Sequence, residues 1–333
     1  MNSETVALTT WTNKNTEAPF ELNTIENSNE RSFINANTTG STQEEMQLDH
    51  VIPVFIKDNE PVISHSDFIE AMQSATEEIF AGETILMPSI RLSHPIKGRV
   101  PEAKNKPAKE LLENEKTLYY ERMAFTIEIN SVHEQVAGNN LKLTVGGVKS
   151  YQQDNLYNKK GVGEHFKFFI GFENSVCTNL CIWTDGYQSD IRVNSVEQLK
   201  QSILELFHRY DINHHINFMH SLDQYELTEK QFAQLIGRCK LYQCLTPAQR
   251  NGIPELLFGE SHLSAIAKDY YRDESFCRSE NGNINLWRLY NLFTGANKSS
   301  YIDTFLDRNV NATEFISNIK NAIIHQQSNW FLN

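Results

Sequence analysis

The sequence predicts an α+β fold, with an antiparallel sheet in the middle of the chain followed by a mostly helical C-terminal half. Apolar residues alternate between 119 and 129 and further strand candidates follow closely up to 193, with no helical stretch between them to carry a parallel crossover. At Ser195 the apolar period lengthens to that of a helix and holds to the end of the chain. The leading 48 residues are rich in Asn, Thr, Glu and Ser, and ordering them would cost more conformational entropy than their burial offsets. These shifts divide the chain into an acidic arm over 1–48, disordered or loosely docked, a β-rich domain over 49–194, and a helical region packed on the sheet over 195–333.

Element by element, the run 51–56 reads as an edge strand, because Pro53 cannot donate to a ladder. Ser66 is placed to cap a helix with Phe68, Ile69, Met72 and Ile79 near one face and Gly82 as its stop. Residues 85–96 read as a strand interrupted by Pro88, and 97–109, with two prolines, as an exposed connection. Tyr119, Met123, Phe125, Ile127 and Ile129 mark a half-buried strand. Further strands are expected over 141–148, 166–172, 176–183 and 187–193, parted by turn signals such as Asn139-Asn140 and Asp185-Gly186.

In the helical half, Ser195 with Gln198 and Thr228 with Gln231 read as capping boxes. Val196, Leu199, Ile203 and Leu206 form the stripe behind the first box, and Phe232, Leu235, Ile236 and Cys239 the stripe behind the second. Thr246-Pro247 opens a further expected helix. Ser261 is expected to cap 263–270, Asn285 to cap 286–293, and Asn311 with Glu314 to cap 315–323.

The net charge is −12, but ten acids against three bases in the first 60 residues supply −7 of it, so the total says little about the rest of the chain. Five cysteines, an odd number without a basic-then-apolar leader, argue against a disulfide framework and for a reducing, cytoplasmic compartment. No run reaches the roughly 18 consecutive apolar residues of a membrane span.

Chemical motifs are incomplete. His133-Glu134 lacks the second histidine one turn on that a zinc-protease helix needs. Cys177, Cys181, Cys239 and Cys244 match no zinc-ribbon spacing, and Cys177 and Cys181 read as core fillers on one strand face. Gly295 to Ser299 resembles the end of a phosphate loop but follows a helix, so it reads as a helix-to-helix turn. Asp185 and Asp190 come nearest to a carboxylate pair, although an Asp-Gly turn accounts for Asp185. No base, nucleophile and orienting group stand together, so no catalytic, metal or cofactor residue is assigned.

Two basic sets stand out. Arg91, Lys97, Arg99, Lys104, Lys106 and Lys109 face only Glu102, while Lys149, Lys159, Lys160 and Lys167 are interleaved with Tyr151, Tyr157, His165 and Phe166. Cations that follow a phosphate backbone beside aromatics on which bases stack are what single-strand binding requires. A solvated loop with ordinary core aromatics is the competing explanation.

The segments LTVGGVKSYQQDNLYNKKG, FFIGFENSVCTNLCIWTDGY and INLWRLYNLFTGANKSSYID closely resemble a family of uncharacterised proteins from Bacteroides-group bacteria, a domain of unknown function often carried on plasmids and conjugative elements. The resemblance runs from about Val51 to Asn321. A shorter likeness, through Val176-Cys177-Thr178-Asn179 and Trp287 to Asn291, is to phage- and plasmid-like proteins of unknown function. A mobile-element setting implies DNA handling or the countering of host functions, and a helix-backed sheet is a platform that single-strand annealing proteins use. Two readings stand: a non-catalytic accessory protein binding single-stranded DNA, or a protein-interaction or structural factor that self-associates or holds a partner.

Overall fold

A computed structural model describes residues 32–49, 63–155 and 162–333. Its centre is a hairpin of two long strands, β5 (Arg122–Val136) and β6 (Asn139–Ser150), reversed at Ala137 and Gly138. Both reversal residues have positive φ, 47° and 80°, as the two-residue turn that matches strand twist demands. The reversal thus falls two residues before the Asn139-Asn140 signal, and those asparagines begin β6 instead.

Strand β7 (Glu164–Asn174) adds antiparallel to β6. With β1 (Thr39–Ser41), β2 (Ser89–Leu92), β8 (Leu180–Cys181) and β9 (Tyr187–Val193) the sheet runs β1-β2-β5-β6-β7-β8, with β9 also paired to β7. The expected strand over 176–183 shrinks to β8, because Asn174 and Thr178, the latter at φ 54°, close a turn there.

Alternation gives this sheet two covered faces. On one, Phe68 of helix α2 (His65–Ile79) packs edge-on to Phe125 and Phe166 at 5.1 and 5.0 Å. Space for that ring exists because residue 147, between Phe125 and Phe168 in register, is glycine: a Cβ there would lie 2.3 Å from the Phe68 ring and 2.9 Å from the Lys167 carbonyl oxygen. Helix α2 starts at Ser64, two residues before the expected cap. Ser64 and Asp67 exchange hydrogen bonds of 2.7 and 3.0 Å in a full capping box, an arrangement Ser66 could not offer.

The opposite face carries Ala124, Val148, Phe169, Leu180 and Ile182 against Ile302, Phe305, Leu306 and Val310, with Phe33 and Ile34 in the same cluster. Residues 33–49 are therefore not a loose arm. Strand β1 pairs with β2, and the apolar pair at 33–34 provides burial that the polar composition around it conceals. The expected edge strand at 51–56 lies outside the described residues.

Ser195 caps Val196–Arg209 (α4), though the Gln198 side chain reaches the Asn194 amide rather than that of Ser195. Thr228 and Gln231 box Glu229–Gln243, and Asn285 caps Leu286–Asn297 (α8) as the spacing implies. At Thr246 only successive turns form, not a helix, since Gly252 turns left-handed at φ 81° and Pro254 follows. Gly259, not Ser261, precedes Glu260–Arg272.

Asn311 is no cap: it sits 3% exposed inside a continuous helix, α9 (Ile302–His325). Its amide is satisfied across space, accepting from Leu257 N at 2.8 Å and donating to Glu255 O at 3.0 Å. No described helix is long and apolar enough to cross a membrane.

Two outcomes follow for stability. Gly147→Ala should lower it by about 1–3 kcal/mol, because the added methyl meets a packed ring and a fixed carbonyl. Phe33→Ala should cost about 3 kcal/mol, and deletion through residue 48 more still, by stripping β1 from the sheet. Denaturant melts of the three proteins check both.

Candidate nucleic-acid interface

The first basic set lies largely on a two-stranded sheet of its own. Strand β3 (Pro95–Arg99) pairs antiparallel with β4 (Lys116–Tyr120), and the link between them folds as single 3-10 turns at Pro101–Ala103, Ala108–Glu110 and Glu113–Glu115. The expected connection is largely exposed, as its composition implies, but strand β3 and the 3-10 turns make it an ordered arm. Its base is held by Tyr119, which packs on the buried Tyr151, and by the Tyr120 carbonyl, 2.8 Å from His65 Nε2.

Lys97, Lys104 and Lys109 are exposed on this arm. Arg99 donates to the Lys106 carbonyl, and Lys106 pairs with Glu115. Lys116 pairs with Glu113. Hydrogen bonds from Lys116 and Lys106 hold the Glu113 and Glu115 carboxyls below the ordinary range. Ile96, Leu112 and Leu118 are also exposed here.

The described members of the second set point inward. Lys149 is fully buried, its Nζ 2.8 Å from Glu164 and 3.3 Å from Asp154, and 4.0 Å from the Phe166 ring centroid. Tyr151 is equally buried, stacked on His65 at 4.6 Å, so neither residue has a face to offer a base. Lys167 lies on the other face of the sheet, with Asp307 at 2.6 Å and the Asp303 carbonyl at 2.9 Å. Arg91 holds β1 through Thr38, donating to its hydroxyl at 3.1 Å and its carbonyl at 2.9 Å. Tyr157, Lys159 and Lys160 lie outside the described residues. The two basic sets are not brought into one surface by the described residues. Strand parity was the usable signal, because Leu143, Val145, Gly147 and Lys149 share the face that buries Phe125.

The remaining motif residues serve the fold. Cys181 is buried and Cys177 mostly so, and burial pushes the Cys177 thiol up to about 11, far from a reactive thiolate. Among the described residues no three His, Cys, Asp or Glu gather to hold a metal, and His133 is exposed. Lys298, in the turn after α8, gives its ammonium to the Cys177 carbonyl and to the Thr178 hydroxyl at 2.7 Å. Asp185 accepts from Asp211 N at 3.0 Å, and Asp190 lies 3.2 Å from Arg192.

Glu173 and His215 are buried groups whose shifts bear on stability against pH. Burial, with Glu128 nearby, pushes the Glu173 carboxyl up to about 8, and one of its oxygens finds no hydrogen-bond partner among the described residues. His215, buried with Tyr210 Oη 2.7 Å from Nδ1, is driven down to about 3. Between its unfolded value near 4.5 and 8, Glu173 keeps its proton only in the fold, so stability falls as pH rises through that window. Between 6.5 and 3 only the unfolded state protonates His215, so stability falls as pH drops. Glu173→Gln should therefore be more stable than the parent at pH 8, with the gap closing toward pH 4.5, as thermal melts across that range would show.

Nothing among curated proteins or solved structures matches the chain. A family model described as "Domain of unknown function, B. Theta Gene description (DUF3871)" matches residues 19–332, which includes the sheet, both helical faces and the β3–β4 arm, and the chain belongs to that family.

Proposed function

We propose that the protein is a non-catalytic factor that holds single-stranded nucleic acid along the β3–β4 arm, as an accessory protein of mobile elements. The observation that carries this reading is a local reversal of charge. Residues 95–120 hold six bases against four acids in a chain of net −12, and two of those acids are paired within the arm. Lys97 on β3 and Lys104 and Lys109 on the ordered link remain exposed on an arm whose geometry is fixed at its base, so phosphates can meet them without prior ordering of the chain. Ile96, Leu112 and Leu118 offer apolar surface beside those charges. The same three residues favour a second reading, in which the arm docks on a protein partner or a second copy.

A labelled single-stranded oligonucleotide titrated by anisotropy at several salt concentrations separates the two. Affinity should fall steeply with salt, and Lys97→Glu, Lys104→Glu and Lys109→Glu together should reduce the logarithmic slope by about 0.7 per lost contact. Absence of binding at about 50 mM salt and micromolar protein would overturn the nucleic-acid reading, since electrostatic binding is strongest there.

A further inference from the structure

A cleft built from different residues lies on α9. The helix contributes Glu314, Ser317 and Asn318 to one wall of a cleft of about 350 Å³, which Trp183, Thr184 and Glu255 complete. That volume is at the small end of ligand sites. Its walls are tied to one stretch of helix by buried polar side chains. Asn311 grips the backbone at Glu255 and Leu257, and the Thr313 hydroxyl donates to the Ile182 carbonyl at 2.7 Å, fixing the chain just before Trp183. The indole is braced from behind by Phe218 and His214, at centroid distances of 4.4 and 5.2 Å. Such bracing preorganises the site, so a ligand has little ordering cost to meet.

The chemistry of the walls is one-sided. Two carboxylates and an aromatic ring line the cleft, with no cationic side chain among the lining residues. The lysine and the arginine of α9 are committed elsewhere. Lys320 donates to Ser221 Oγ at 2.9 Å and lies 4.8 Å from the Phe218 ring, while Arg308 donates to the Leu257 carbonyl and to Thr304. Partial burial and the neighbouring Glu255 raise the Glu314 carboxyl above its ordinary value. Anions are repelled from such walls, and a cation that also presents hydrocarbon to an indole face is favoured twice.

We propose that this cleft binds a linear diamine or polyamine, with ammonium groups on Glu255 and Glu314 and the methylene chain against Trp183. The site is independent of the β3–β4 arm, whose substitutions leave it intact.

Calorimetric titration of the full chain with putrescine and with spermidine at low salt tests it. One saturable site is expected, weakened roughly tenfold by Glu255→Gln or by Glu314→Gln, as loss of a charged hydrogen bond implies. Indole fluorescence should respond to the amine, and Trp183→Phe should remove that response. Three results would each overturn the proposal: no saturation at millimolar amine, equal binding by the Glu255→Gln/Glu314→Gln double variant, or equal binding of the uncharged analogue 1,4-butanediol. Equal binding by the double variant would assign the affinity to the general acidity of the chain. The substitutions lie on exposed carboxylates, and an unchanged melting temperature in each variant excludes misfolding as the cause of weaker binding.

Discussion

A cation placed where water cannot reach must be paired on every side, and Lys149 imposes that condition on four separate pieces of the chain. Its ammonium at the end of β6 meets Asp154 on the short helix Tyr151–Asn155 and Glu164 at the start of β7. Each acid is itself tied down. Glu164 accepts from the Ile63 amide just before α2, and Asp154 accepts from the His165 amide at 2.7 Å. A buried pair of this kind adds little net stability, yet removing one partner strands the others, so its effect is to fix a single arrangement of the parts it joins. Here those parts are the β6–β7 junction and the start of the helix that seats Phe68 on the sheet.

Helix α9 orders the opposite face in a comparable way with polar groups of its own. Asp303 pairs with Arg122, Asp307 accepts from both Lys167 and the Tyr187 hydroxyl, and Thr313 and Asn311 hold the chain at 182 and at 255–257. The helix thus does more than cover apolar surface at 302–310. Its buried side chains set the register of loops from both halves of the chain, and the cleft beside Trp183 follows from two of those bonds. The same demand for pairing removes Lys167 from the surface, whereas Lys97, Lys104 and Lys109 of the β3–β4 arm stay exposed.

The sequence by itself determined the elements whose signals are local. Period-two alternation located β5, although Tyr119 proves to belong to β4, closely following apolar runs located β6, β7 and β9, and Thr228 and Asn285 capped their helices because a cap needs only its own side chain and an amide three residues on. Only the tertiary structure decided what distant partners control. Asn311 reads as a cap until a loop more than 50 residues earlier takes both ends of its amide. Lys149 and Tyr151 read as a basic, aromatic surface until Asp154, Glu164 and His65 enclose them. Phe33 and Ile34 read as part of a polar arm until Phe305 and Ile302 supply a core to enter. In each case the sequence fixes which hydrogen bonds or apolar contacts a side chain requires, while the fold decides whether water or another part of the chain provides them.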